Sequence, residues 1–275
     1  MEKVFIWHRY KSTLSNKILM NSDQSVKSFY QSLGWSAEVG QHEPDAEMFE
    51  DLRTCSSKYL IANRIRLSQY FQSSGIAMLD CASGPIQYKE YVSYSNDFDK
   101  RYCVDLSEEA LKKAKAKLPN KVIPICGDIR EINFCSLKFD VIISLHTIYH
   151  IEIDDQLNVI RKLKECLSTN GTLVIVYSNP SFLFEKLKNV AACLVRKKSN
   201  NNAFYFKRLR PSIFKKVFPE ASFRAYRMFS GEDMRRCFPN CYLTTIFLVF
   251  VSYVEPFLPL FMCQYYIIKF NNNLP

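Results

Sequence analysis

The chain has 275 residues, 48% apolar and 23% charged, enough to bury the core of one elaborated α/β domain or two small ones and too apolar for a disordered polymer. Its seven glycines, few beside a usual level of roughly 7%, never take the spacing G-x-x-x-x-G-K-[ST] or G-x-G-x-x-G. That excludes P-loop and kinase-like chemistry and a full-pattern dinucleotide fold. The net charge of +10 is local: residues 186–240 hold 14 Lys/Arg against 3 Asp/Glu, a stretch that suits phosphate, an anionic membrane surface or an acidic substrate, or is a solvated face.

In chain order, MEKVFIWHRYKSTLSNK offers four consecutive apolar residues, too few for a signal peptide. The ten cysteines include no C-x-x-C pair, so free thiols in a reducing, cytoplasmic setting and no metal site are expected. Val26 to Phe71 reads as helical segments interrupted by GQHEPDAE, which makes residues 1–72 an N-terminal helical cap.

Residues 73–180 alternate short apolar runs with amphipathic helical patterns, the signature of βαβ units. The runs IAMLD (76–80), YCVD (102–105), VIPI (122–125), FDVIIS (139–144) and TLVIVY (172–177) predict five parallel strands. Between them, Ser107 to Leu118 and Asp155 to Leu167 predict helices with acids first and lysines last, and Asn170-Gly171 predicts a left-handed stop before the last run. Pro124 suits an edge strand.

Residues 181–275 form a C-terminal part. The linker SNNNAF precedes an expected strand at Ser222 to Met228, a segment Gly231 to Cys237, the apolar stretch 242–262 and a final strand QYYIIKF. Within 242–262 only Tyr242 to Val254 runs without a charge or proline, short of the roughly 20 residues of a span. A buried helix or a membrane-surface element is expected. Bases followed by apolar surface is the order a peripheral membrane contact uses.

In an open parallel sheet, ligands bind beyond the carboxyl ends of the strands. Those ends are acidic here: Asp80, Asp105 and, after the third run, Asp128. Gly84 precedes Asp105 by 21 residues, near the roughly 20 between a nucleotide loop and a ribose-binding carboxylate.

The ordered set LDCASGP, YCVDLS, CGDI, FDVIISLHTIYHI and LSTNGTLVIVYS resembles the motif series of class I S-adenosylmethionine-dependent methyltransferases, over about residues 76–178. The nearest resemblance is to small-molecule methyltransferases with a Leu-His-His-like turn after the fourth strand. The resemblance implies a Rossmann-like, doubly wound, seven-stranded and mostly parallel sheet, with a hydrophobic helical insertion before the last strand. It implies S-adenosylmethionine as cofactor, its methionine part held by the loop of Asp80, Ala82, Ser83 and Gly84. Asp105 would bind the ribose hydroxyls with Leu106 on the adenine, Asp128 would accept from the adenine amino group beside Ile129, and Ser144 would offer its backbone to the ammonium. The family's D-x-G-x-G-x-G has Ala82 and Ile86 in place of its first and third glycines, which suggests a tighter loop suited to a cofactor without a pyrophosphate.

His146 and His150 follow the fourth strand, where the methyl group would be presented, and share a face if that turn is helical. His146 is the better candidate for a base and His150 for packing; either could simply shape the pocket. Tyr149 between them binds substrate or packs. The expected function is methyl transfer, at oxygen, to a small or lipid-like acceptor, the aromatic richness of the caps favouring an apolar substrate. A non-catalytic cofactor-binding or scaffold protein at a membrane surface is the alternative. A nucleic-acid methyltransferase is disfavoured, because no [DNS]-P-P-[YFW] follows the fourth strand.

Overall fold

The computed structural model describes residues 22–38, 41–134, 136–185 and 206–272. Cys135, Cys193, the SNNNAF linker and the 186–205 part of the basic stretch lie outside them. One seven-stranded sheet has the order β3-β2-β1-β4-β5-β7-β6, from β1 (Ser74–Cys81), β2 (Asp97–Asp105), β3 (Val122–Cys126), β4 (Phe139–Leu145), β5 (Leu167–Ser178), β6 (Ser222–Ala225) and β7 (Tyr265–Asn271). Strands β1 to β5 pair in parallel, and β7 runs antiparallel between β5 and β6. The five apolar runs and QYYIIKF are strands as predicted, and β6 is shorter than its expected range. Pro124 lies on β3, the edge.

The apolar runs are continuous because both faces of the sheet are covered. Leu79, Ile142, Leu173 and Ile175 pack on one face, and their neighbours Met78, Val141, Ile143, Val174 and Val176 on the other. Fully burying such side chains is worth about 2 kcal/mol each. Helix α5 (Glu108–Lys117) is capped by Ser107, whose Oγ accepts from the Ala110 amide at 3.2 Å, and packs Leu111 and Ala114 against Cys103 and Val122. Helix α6 (Ile153–Glu165) carries Asp154 and Asp155 first and Lys162 and Lys164 last, matching the helix dipole.

The Asn170 prediction needs correction. The helix already ends at Glu165, and Asn170, with φ +63°, sits inside β5, beside the register shift between Phe139 and Val141. The left-handed residue re-aims a strand and does not stop a helix.

Helices α1 (Ser22–Ser32), α2 (Pro44–Phe49), α3 (Thr54–Leu67) and the short α4 (Lys89–Ser93) lie outside the sheet, as do α7 (Pro211–Val217), α8 (Gly231–Cys237) and α9 (Tyr242–Val254). Helix α9 lies along α3, Leu248 and Val251 meeting Tyr59 and Leu60. Glu255, fully buried at the end of α9, accepts from Arg66 Nη2 at 2.7 Å, from the Met228 amide at 2.7 Å and from the Tyr59 hydroxyl. Arg66 also reaches Asn63 Oδ1 at 2.6 Å and the Ser252 and Tyr226 carbonyls. Among the described residues, no helix is long and apolar enough to cross a membrane.

Candidate active site

The carboxyl ends of β3, β2, β1 and β4 stand side by side, with Asp105 opposite Cys126, Asp80 opposite Cys103, and Cys81 opposite Ser144. The chain leaves β1 through a loop in which Ala82, Gly84 and Ile86 all have positive φ, at +58°, +52° and +49°. A left-handed Ala or Ile costs roughly 1–2 kcal/mol. The loop keeps glycine-like backbone at the very positions, 82 and 86, where glycines are missing. Full burial of Ile86 against Cys103 and Leu111 helps hold it there.

Asp105 fixes this loop. Its Oδ2 accepts from the Gly84 amide at 2.8 Å and its Oδ1 from the Ser107 amide at 2.9 Å. Burial raises its carboxyl to about 6, against the pull of these amides. The other two acids have cationic partners. Asp80 is buried against Arg101 at 2.5 Å, and Asp128 is gripped by Arg130, Nε to Oδ1 at 3.0 Å and Nη2 to Oδ2 at 2.5 Å. Two of the three acids are thus ion-paired already: Asp80 anchors the start of the loop, and both oxygens of Asp128 accept from Arg130. Ile129 is buried in the core, while Leu106 is half-buried and its carbonyl accepts from Gln31 at 3.5 Å.

The cap roofs the loop. A Cβ on Gly84 would lie 2.9 Å from Trp35 Cζ2, and the indole stacks on Tyr30 at 5.4 Å. Lys113 of α5 fastens this roof by donating to the carbonyls of Trp35 at 2.7 Å and Ala37 at 2.9 Å and to Glu43 Oε1 at 2.7 Å. Around the loop, four buried polar atoms have no hydrogen-bond partner among the described residues: Trp35 Nε1, Gln87 Nε2, Tyr88 Oη and Ser144 Oγ.

Beyond β4, His146 has φ +62° and its ring meets Tyr265 edge-on at 4.7 Å. The Arg227 guanidinium lies 5.3 Å from the Tyr265 ring and binds both oxygens of Glu50, at 3.2 and 3.3 Å. Arg64, buried, stacks on Tyr88 at 3.3 Å and stands 3.9 Å from Glu50 and 3.7 Å from Glu90. Burial, then Arg227, His150 and Arg64, push the His146 imidazole down to about 3. Asp45 of α2 accepts from the Tyr30 hydroxyl at 3.1 Å. Burial, with Glu50, Asp105 and Glu43 adding to it against that hydrogen bond, raises Asp45 to about 7. His146, Tyr265, Tyr30 and Asp45 are half-buried yet desolvated, as side chains lining a cavity are.

The shared helical face expected of the two histidines does not form. Residue 146 is left-handed and the 3-10 turn begins only at Ile148; His150 meets Tyr149 at 4.6 Å and Phe206 at 5.6 Å. Tyr149 is buried, edge-on to Phe206 at 4.9 Å and Tyr177 at 5.6 Å.

A family model described as a methyltransferase domain matches residues 79–175, the stretch from β1 to β5 that carries the loop, Asp105 and His146. The core is a class I S-adenosylmethionine-dependent methyltransferase domain. The methyltransferase fold extends over most of the chain. Magnesium protoporphyrin IX methyltransferase from Synechocystis, with bound SAH, superposes with a TM-score of 0.56 at 12% identity, over 91% of this chain and 99% of that one. A SAM-dependent methyltransferase from Archaeoglobus fulgidus gives 0.51 at 15% identity, over 78% and 94%. An uncharacterized protein of Methanocaldococcus jannaschii is 26% identical over 120 residues, 44% of this chain and 48% of that protein, so the match spans about half the length of that relative.

The residues of the methyltransferase domain fit the methyl donor of the class. Asp105 stands at the strand end with lone pairs beyond those its two amides use, and the unpartnered Trp35, Gln87 and Ser144 atoms ring the loop beside it. Trp35, Tyr30 and Asp45 escaped sequence reading, because the cap shows no periodicity that aims them inward; only the Pro44-Asp45 start of a helix hinted that GQHEPDAE was structured. Arg130 also went unread, although it stands two residues beyond Asp128.

Proposed function

We propose that the chain binds S-adenosylmethionine at the β1–β2–β4 strand ends and transfers its methyl group to a small or lipid-like acceptor, at oxygen. Asp105 would receive the ribose hydroxyls, with Leu106 beside the adenine. The 82–84 loop and Ser144 would hold the methionine part, anchored by Asp80. Asp128 would meet the adenine amino group alongside Arg130, with Ile129 as a buried wall. The supporting observation is the group of unpartnered buried polar atoms around a loop that keeps glycine-like backbone at Ala82 and Ile86.

The bound cofactor supplies an electrophilic methyl on sulfur. An acceptor hydroxyl taking that methyl would have to give up its proton to a base. His146, neutral above about pH 3, offers a lone pair that orients the hydroxyl but holds a proton weakly. Asp45, at about 7, is better matched as proton acceptor near neutral pH. His150 and Tyr149 would shape the wall. The aromatic lining from Tyr30, Tyr265, Tyr149 and Phe206 favours an apolar acceptor, and contact with a membrane surface would bring one to the site.

Calorimetry with S-adenosylhomocysteine tests the cofactor site: the chain should bind it, and Asp105→Ala should weaken binding at least about 100-fold, equivalent to about 2.7 kcal/mol. Unchanged affinity overturns the assignment. Transfer of labelled methyl from the cofactor into the chloroform-soluble fraction of a cell extract, lost in Asp45→Asn with cofactor affinity retained, supports the acceptor class and the base; label confined to the aqueous fraction refutes a lipid-like acceptor.

A further inference from the structure

Helix α9 turns one side to the protein, through Leu248 and Val251, and leaves the other bare. Tyr242 is 76% exposed, Phe250 62%, Tyr253 73% and Phe257, just past the helix, 86%. Alongside, Ile61 and Ile65 continue the surface on α3. The two helices run side by side in the same direction, since the Cys55 amide at the start of α3 donates to Asn240 Oδ1, just before α9, and Arg66 near the end of α3 donates to the Ser252 carbonyl. Soluble monomers rarely expose contiguous apolar patches larger than a few hundred Å² unless something docks there.

The charges choose the occupant. Helix α3 contains no carboxylate, and residues 242–263 contain one, Glu255, which is fully buried on Arg66. The exposed ionic groups nearby carry an excess of base: Lys58 on α3 and, on α8 just before α9, Arg235 and the Arg236–Glu232 pair. Tyrosines stand near both ends of α9, where an amphipathic ring sits with its body in hydrocarbon and its hydroxyl in the headgroups. At 13 residues, α9 is about 20 Å long, too short to span the roughly 30 Å hydrocarbon core but suited to lie in its surface.

We infer that the outer face of α9 and α3 docks flat on an anionic lipid bilayer. Docking would bring the bilayer toward Phe49 and Leu52, exposed on either side of Glu50, the residue that binds Arg227. A lipid-like acceptor would then enter from the membrane. That use rests on the proposed methyl transfer; the docking does not.

Flotation of the full chain with phosphatidylcholine vesicles, with and without phosphatidylglycerol, tests this. The chain should float with the anionic vesicles at least about tenfold more than with the neutral ones, and high salt should reduce the difference. The triple substitution Leu243→Ser, Phe250→Ser, Phe257→Ser should cut flotation at least about tenfold, with the far-ultraviolet circular dichroism and melting temperature unchanged. Lys58→Glu, which touches no apolar side chain of the face, should weaken it severalfold. Equal flotation of the chain and the triple variant overturns the inference. So does failure of the chain to float, including the case where light scattering shows a dimer that the triple variant abolishes. Binding of S-adenosylhomocysteine, measured on the same samples, reports separately on the cofactor site.

Discussion

Gly84→Ala tests whether the cap and the cofactor loop are one packed unit. The new Cβ would lie 2.9 Å from Cζ2 and 3.0 Å from Cη2 of Trp35, where carbon atoms pack best at roughly 3.5–4.0 Å. The indole cannot slide freely, because it stacks on Tyr30 and Lys113 holds its backbone carbonyl. Overpacking of this kind costs about 1–3 kcal/mol, and the left-handed backbone at φ +52° costs an Ala about 1 kcal/mol more. The total of about 2–4 kcal/mol corresponds to a fall in melting temperature of roughly 5–12 °C for a chain of this size. In a Trp35→Ala background only the backbone cost remains, so the two substitutions should couple by about 1–3 kcal/mol in a double-mutant cycle followed by differential scanning calorimetry. Equal losses in both backgrounds would refute a roof formed by Trp35.

Two further outcomes follow from the buried charges. Asp45 and Asp105 have folded pKa values of about 7 and about 6, above those of the unfolded chain, so the folded state retains protons the unfolded chain has released. Their stabilising effect is present at low pH and lost as pH rises through those values; lowering pH from 8 to 6.5 should stabilise the ligand-free protein by about 0.5 kcal/mol, about 0.9 from the two acids, mostly Asp45, less about 0.4 from His146, which stays neutral when folded but is half charged at pH 6.5 when unfolded. Urea titrations should show the rise, and Asp45→Asn should remove it; a flat profile above pH 6.5 would contradict the burial of Asp45. Glu255→Ala should destabilise by about 3–5 kcal/mol by leaving Arg66 buried without its carboxylate, and Arg66→Met combined with Glu255→Leu should recover most of the loss in thermal melts. A milder single substitution would mean that water reaches Arg66.

Strands β1 to β5 were legible because a sheet buried on both faces writes itself as unbroken apolar runs, and the ends of those runs located Asp105 and the loop without a structure. Backbone conformation was not legible. Ala82 and Ile86 carry no sign of positive φ, since the conformation is imposed by Asp105 binding Gly84 and by the buried Ile86 side chain, neither of which residue type reveals. Pairing went unread at either range. Arg130 is two residues from Asp128, whereas Arg101 reaches Asp80 across 21 residues and through the register of two strands. The cap contributed least, because Trp35 and Asp45 owe their positions to tertiary contacts with α5 and the sheet ends and not to any local pattern. The histidine spacing misled, since four residues amount to one helical face only where the chain is helical.

The Glu255 clasp has a consequence for which parts of the molecule can separate. With Arg66 and Tyr59 both bound to Glu255, helices α3 and α9 are riveted into a single plate. Trp35, by contrast, reaches the loop from a segment held by one lysine ammonium and the stack on Tyr30. Parting α3 from α9 would strand a buried carboxylate, whereas lifting Trp35 off the loop breaks the contacts of one ammonium and a ring stack. Lys113→Ala should thus loosen the Trp35 roof and leave the α3–α9 plate intact.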